Sequence, residues 1–396
     1  MAFLGARVHA ARLAAMRALM EREELDALAF TSADFFQFAT NFAIDVQTWE
    51  RPVLAAVPRT GEPFAILAEL SEHHWRYAEA AGRLWVKDAH FYAEHPRVGD
   101  RAPLVVEWAE LAAECLKARG LAHGRIGADA ASAPFARAVS LLRRARLSVL
   151  AAAVRTLRFV KHPEEIALMR EIASLTDWLQ DRYRENIRPG RLTLELDMAM
   201  AARTAEEAAD RFPGQHFEIM RCWSISGPAS SAPHGDGRSA GARIETGHGM
   251  INVVVLRVNG LVVENERTWF CGKPTAEQER LFETARAANE AAIAAAVTGR
   301  PVSGIDAAAQ AVIEKAGYGD LIRHRTGHGM GTLGHEFPED MAFNHRPLLE
   351  REVYSAEPGL YVFGLGGFRH DDTVVVGTTP DVLTRAPKDL KSQTIA

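Results

Sequence analysis

From residue 7 to about 25, Val8, Leu13, Met16, Leu19 and Met20 recur at helical spacing with Arg and Glu between them, which predicts a helix with one buried face. Leu25-Asp26-Ala27-Leu28-Ala29-Phe30-Thr31 follows as a short apolar run of the kind a buried strand shows. Pro52 to Pro58 and Pro63 to Ala68 read as two more strands joined by the turn Arg59-Thr60-Gly61-Glu62. Residues 104–119 read as helix, Arg125 to Asp129 as strand and Val139 to Arg146 as helix. Strands alternating with helices predict an α/β N-terminal domain over residues 1–157. The boundary falls at Arg158-Phe159-Val160-Lys161-His162-Pro163, where Pro163 suits a first helical turn and Glu164 and Glu165 complement its positive dipole end.

The pattern stays helical to about residue 210, with a break at Pro189-Gly190. Strand signals then dominate, at Ile251–Val258, Leu261–Val263, Val353–Ala356, Leu360–Phe363 and Thr373–Val376, with helices at about 275–297 and 303–316 between them. Strands with segregated helices predict an α+β second domain over residues 158–396.

Beside these strands lie polar clusters that a core does not collect without a reason, because burying unpaired charge is costly. Glu264 and Glu266 are two apart, so in a strand both face one side, while Arg267 faces the other and suits a structural ion pair. Gly327-His328-Gly329-Met330-Gly331 surrounds a histidine with glycines, and His335-Glu336 follows seven residues on. Two imidazoles near carboxylates point to metal ligation or acid–base chemistry. Glu357 ends a strand-like run and needs a counter-charge; Arg369 and Asp371 share one strand face. His234 sits in the loop Pro233-His234-Gly235-Asp236. The clusters read as a catalytic site and leave open whether it holds a metal.

Composition only excludes partners. With 47% hydrophobic and 24% charged residues and a net charge of −5, the chain has no basic footprint for nucleic acid and no polybasic membrane patch. Its three cysteines make no disulfide framework. Without a signal peptide or a membrane-spanning run, a cytoplasmic location is expected.

Taken in order, the clusters resemble the creatinase / aminopeptidase P / prolidase family, with its pita-bread catalytic domain. The motifs are Lys161-His162-Pro163-Glu164-Glu165-Ile166, Gly327-His328-Gly329-Met330-Gly331, His335-Glu336, Glu357-Pro358-Gly359-Leu360-Tyr361 and Arg369-His370-Asp371-Asp372-Thr373. Peptidase members bind two metals through Asp, Asp, His, Glu and Glu, which the resemblance lays on Asn252, Glu264, His328, Glu357 and Asp371. With Asn252 in place of the usual first Asp, the resemblance favours the creatinase-like branch, a hydrolase of a C–N bond in a small cationic or amidine-like substrate with no cofactor required. His234, Glu266 and Glu357 are then catalytic, and His328, His335, Arg369, Trp49 and Arg51 bind substrate. Trp49-Glu50-Arg51-Pro52 resembles a segment that completes the neighbouring site of a homodimer. Where creatinase has a substrate-binding Arg, this chain has Glu339. The alternatives are an Xaa-Pro dipeptidase or aminopeptidase with one divalent ion (Mn, Zn, Fe or Co) on Glu264, His328, Glu357 and Asp371, a lyase acting on a small onium compound, and a non-catalytic binding protein.

Overall fold

The computed structural model describes residues 4–94, 104–237, 241–336 and 341–395. The chain forms two compact units, one ending at Arg158 and the other running from Phe159.

In the first unit, strands β1 (Ala27–Phe30), β2 (Leu54–Pro58), β3 (Phe64–Ala68), β4 (Asp88–Tyr92), β5 (Arg125–Ala128) and β6 (Arg146–Val149) make one sheet in the order β4-β3-β2-β1-β5-β6. Alternate residues feed two separate cores: Ala27, Ala29, Leu54 and Phe64 enter one, and Leu28, Phe30, Val57 and Ala65 the other. Burial on both faces is why these strands read as unbroken apolar runs. The helix expected over Val139 to Arg146 lies earlier, at Ala133–Ser140, because Ser132 accepts the Phe135 N–H at its N-terminus and Pro134 occupies its first turn. Arg146 instead opens β6. Trp49 is 80% exposed. Arg51 is not a free cation: its Nε donates to Glu94 Oε2 at 2.9 Å and its Nη1 to Glu50 Oε2 at 2.6 Å.

The second unit opens on the helix Pro163–Asn186, closed at its N-terminus by a reciprocal cap. Glu165 accepts the His162 N–H at 2.7 Å while His162 Nδ1 accepts the Glu164 N–H at 3.2 Å. Its sheet contains β7 (Phe217–Ser226), β8 (Gly249–Val258), β9 (Leu261–Cys271), β10 (Val353–Ala356) and β13 (Asp371–Val375), in the order β10-β13-β9-β8-β7 and antiparallel along that path. Strands β11 (Gly359–Val362) and β12 (Gly366–Arg369) form a separate hairpin. Strands β8 and β9 meet at Asn259-Gly260, whose φ angles of 48° and 83° supply the left-handed pair that a two-residue hairpin turn requires. Helix Pro163–Asn186 packs on β8 and β9, and helix Thr193–Arg211 on β7. Helices Ala276–Ala295 and Ser303–Lys315 share a core with β10, β12 and β13. Strand β9 runs eight residues past the expected end at Val263, through Glu264-Asn265-Glu266-Arg267-Thr268. Every residue of that polar stretch is buried.

Candidate active site

Register decides which side chains meet. Strand β9 pairs Glu266 with Val253 and Glu264 with Val255 on β8, and β13 pairs Asp371 with Glu266. Cross-strand partners project to the same face and neighbours along a strand to opposite ones. Glu264, Glu266 and Asp371 therefore share a face with Val253 and Val255. Asn252 pairs with Arg267 and Ser224 and lies on the other face, where its Nδ2 donates to Ser224 Oγ at 2.6 Å. The expectation that Asn252 occupies a metal position is corrected on this ground: the β8 residue that lines the cavity is Val253, which has no donor atom.

The same alternation puts Arg267 behind the site. All five of its N–H groups are satisfied, by the carbonyls of Ala386 (twice), Glu266 and Asp371 and by Asp372 Oδ1 at 2.8 Å. Lys388 and Thr384 complete the shell of Asp372, whose carboxyl stays ionised against its burial because Arg267 and Lys388 flank it.

On the cavity face, Arg369 is bound to Glu266 through Nε and through an Nη2–Oε1 bond of 2.9 Å. Its Nη1 donates to Pro233 O at 3.2 Å and to Tyr361 Oη at 2.9 Å. Tyr361 Oη therefore turns its proton to His324 Nε2, 2.7 Å away, and His324 Nδ1 donates to Arg325 O at 2.7 Å. Burial pushes the Glu266 carboxyl up to about 7 although Arg369 opposes that rise. These contacts correct two expectations. Arg369 does not present a guanidinium to substrate, and Glu266 does not offer a free carboxylate to a cationic one, because each already occupies the other.

His328 is wholly buried. Its Nδ1 stands 3.1 Å from Gly329 O, which fixes that nitrogen as the donor and turns Nε2 toward Glu357 Oε1 at 3.3 Å and Glu264 Oε2 at 3.6 Å. His335 stacks on it with ring centroids 3.7 Å apart, and burial lowers the His335 imidazole to about 4. Burial works against ionisation of Glu357, but His328, His324 and Arg369 together hold its carboxyl down at about 2. Glu264 and Asp371 are pushed the other way, first by burial and then by neighbouring carboxylates. Neither oxygen of Asp371 has a hydrogen-bond partner, nor has His328 Nε2.

These groups line or underlie a cavity of about 540 Å³. Glu264, Glu266, Glu357, His335 and Arg369 line it, His335 being exposed, while His328 and Asp371 are fully buried beside these residues. His234 stands exposed at the mouth, its ring 6.2 Å from that of Trp223. Trp49 and Arg51 belong to the first unit, and Glu339 lies outside the described residues. Sequence reasoning missed Tyr361, His324, Trp223, Arg221, Arg323 and Arg325. The run Arg323-His324-Arg325 directly before Thr326-Gly327-His328 was the available signal.

Residues 167–378 match the profile of metallopeptidase family M24, and residues 12–172 match the creatinase/prolidase N-terminal domain. The chain belongs to metallopeptidase family M24. It is thus a hydrolase of carbon–nitrogen bonds with a pita-bread catalytic domain behind a creatinase-type N-terminal domain. A Bacillus subtilis (strain 168) protein named "Putative dipeptidase YkvY" is 32% identical over 285 residues, which is 71% of this chain and 76% of that protein. The Xaa-Pro dipeptidase of Pyrococcus furiosus is 29% identical over 227 residues, 56% of this chain and 62% of that enzyme, so the match spans less than two thirds of its length. The crystal structure of dipeptidase PepE from Mycobacterium ulcerans superposes with a TM-score of 0.80 at 24% identity, over 99% of both chains, and shows the same fold.

Membership in this family overturns the expectation that no metal is required, since the family is one of metallopeptidases. The preference for a creatinase-like branch falls with it, because these relatives carry dipeptidase names. The residues fit one divalent ion by charge and donor type. Glu357 is an ionised carboxylate, Asp371 and His328 Nε2 have no hydrogen-bond partner, Glu264 and Asp371 are disfavoured as anions by burial and by their neighbouring carboxylates, and Arg369 is committed to Glu266. As the side chains stand, no three His, Cys, Asp or Glu among the described residues converge closely enough to ligate an ion. A second ion does not fit, because the β8 residue facing the cavity is Val253.

Proposed function

We propose that this chain is a metal-dependent dipeptidase that hydrolyses the amide bond of short peptides, with Xaa-Pro dipeptides the first class to assay. One divalent ion would be held by Glu264, His328, Glu357 and Asp371. The observation that carries this reading is that His328 Nε2 and both carboxyl oxygens of Asp371 are buried without a hydrogen-bond partner next to Glu264 and Glu357, which line a cavity that His234 also lines. Dipeptidase names among the relatives support the substrate class. Bound there, the ion would supply Lewis-acid polarisation of the scissile carbonyl and of water.

The chain's own groups divide the remaining work. Glu357, kept ionised by His328, accepts a proton from the attacking water. His234 at the mouth returns a proton to the departing amine nitrogen, a role open to it because it is exposed and lines the same cavity. Arg369 and Tyr361 hold Glu266 in one place, so the wall does not rearrange as charge develops.

The test combines elemental analysis of the purified protein with assays on Xaa-Pro and non-prolyl dipeptides, before and after exhaustive chelation and on adding back Mn, Co or Zn. About one ion per chain and turnover that disappears and returns with it are expected. Undiminished turnover after chelation, or no hydrolysis of any dipeptide in the metal-loaded state, would sink the proposal.

A further inference from the structure

Residues 326–330 run antiparallel to β10 and continue the ladder past its end. Met330 N donates to Val353 O at 2.8 Å, Ser355 N to His328 O at 2.9 Å and Glu357 N to Thr326 O at 2.6 Å, while Gly329 pairs with Tyr354. These rungs set His328 opposite Ser355 and Thr326 opposite Glu357. Residues two apart on a strand share a face, so His328 and Glu357 are diagonal neighbours across the ladder. That register is how His328 Nε2 comes to lie 3.3 Å from Glu357 Oε1. Glycine is required at position 327, because a Cβ there would collide with the Ser355 carbonyl oxygen.

Thr326 makes the last rung with its carbonyl, and its N–H is held by a buried acid that the proposed chemistry does not use. Asp306 lies in the first turn of the helix Ser303–Lys315. Its Oδ1 accepts the Thr326 N–H at 2.8 Å, and its Oδ2 accepts Gln310 Nε2 at 2.7 Å from one turn further along the helix. The second bond fixes the carboxyl plane, so the first is aimed as well as made. Hydrogen bonds therefore run from Asp306 through Thr326 to the backbone of Glu357. Asp306 does not line the cavity, and its influence on the reaction passes through Thr326.

We propose that Asp306 is a positioning residue for the hydrolysis: by holding Thr326 it holds the rung that sets Glu357 against His328, and so the spacing of the donors for a divalent ion. This rests on the metal-dependent dipeptidase reading. Without an acceptor at position 306 the Thr326 N–H is buried and unpaired, and the segment shifts to recover a partner. Metal ligation tolerates donor displacements of only about 0.2 Å. A shift small enough for the fold to absorb is thus large enough to weaken the ion's hold.

The experiment compares the wild type with three variants. Asp306→Leu has a similar shape and no acceptor, Asp306→Asn keeps one oxygen for Thr326, and Ala309→Gly weakens the same buried helix while leaving the bond in place. Asp306→Ala replaces the leucine variant if the larger side chain prevents folding. Mn affinity is read by competition with a chelator, kcat and KM on an Xaa-Pro dipeptide at saturating Mn, and the thermal midpoint on metal-free protein. Asp306→Leu is expected to weaken Mn binding and lower kcat by about 10–100-fold with KM little changed, as loss of an outer partner of a metal site does. Asp306→Asn is expected to recover most of both. Ala309→Gly is expected to lower the thermal midpoint and leave Mn affinity and kcat near wild type. Unchanged Mn affinity and kcat in Asp306→Leu, or equal losses in Ala309→Gly at the same thermal midpoint, overturn the positioning role and leave the dipeptidase reading intact. A wild type that binds no Mn or cleaves no dipeptide sinks that reading instead. Hydrogen exchange then decides the role of Asp306 without turnover: faster exchange at both Thr326 and Glu357 in Asp306→Leu than in Ala309→Gly supports it, and unchanged exchange refutes it.

Discussion

At the scale of single residues, the pairing of Arg369 with Glu266 shapes the site more than any one catalytic candidate does. Both side chains are buried, and each is the other's counter-charge. Removing one member of such a pair strands a charge in a medium that solvates it poorly, which costs about 3–5 kcal/mol. Arg369→Met is therefore expected to lower unfolding stability by about that amount in denaturant titration. Glu266→Gln is expected to cost a similar amount, because the Arg369 guanidinium does not deprotonate and is left without its counter-charge, keeping its bonds to Pro233 O and Tyr361 Oη. No loss in either variant would mean that the pair is not the source of the effect. The residues involved were visible in the sequence, but their partnership was not. Arg369 and Asp371 share a strand face on paper, yet β12 ends at Arg369, β13 begins at Asp371, and the guanidinium goes to Glu266 on β9 instead.

At the scale of elements, register separates what residue type alone runs together. A slip of one position along a strand sends a side chain to the opposite face, and sequence spacing carries no register. Asn252 was assigned to the site for that reason, while Val253, which lines the cavity, looked like any core valine. A paired substitution checks this. Val253→Asp adds a carboxylate beside Glu264 and Glu266 and is expected to raise metal content from about one ion toward two per chain by elemental analysis. Asn252→Asp adds the same group behind the sheet, beside Ser224, and is expected to leave metal content unchanged. The reverse result would mean that the register assigned to β8 is wrong. Strand β7 escaped sequence reading for a related reason: the irregularity between Ile219 and Arg221 breaks the alternation by which a strand is recognised. Strands β1, β2, β3 and β5 of the first unit were legible because two cores bury both their faces and leave unbroken apolar runs, whereas β4 and β6, largely exposed or half-buried, were not read as strands.

At the scale of the whole molecule, the back of the catalytic sheet holds a titrating group that the chemistry does not use. Asp197 accepts bonds from Tyr183 Oη, Ser224 N and Ser224 Oγ, yet burial raises its carboxyl from 3.8 to about 6. The folded chain then holds this proton more tightly than the unfolded one, so Asp197 contributes stability below pH 3.8 that is lost as pH rises to about 6. The shift corresponds to about 3 kcal/mol. Asp197→Asn should remove that slope, so the stability difference between variant and wild type should move in the variant's favour between pH 4 and 7. A difference that stays constant across the range would refute the assignment.

The interleaving of strand β9 carries one more consequence. Glu264 and Glu266 face the cavity, whereas Asn265 and Arg267 face the packed side, where they meet Thr176, Asp177 and Asp372. Selection for turnover and selection for folding therefore act on alternate letters of one five-residue word. Each letter can drift only under its own constraint, and a loss of activity at one position says nothing about its neighbour.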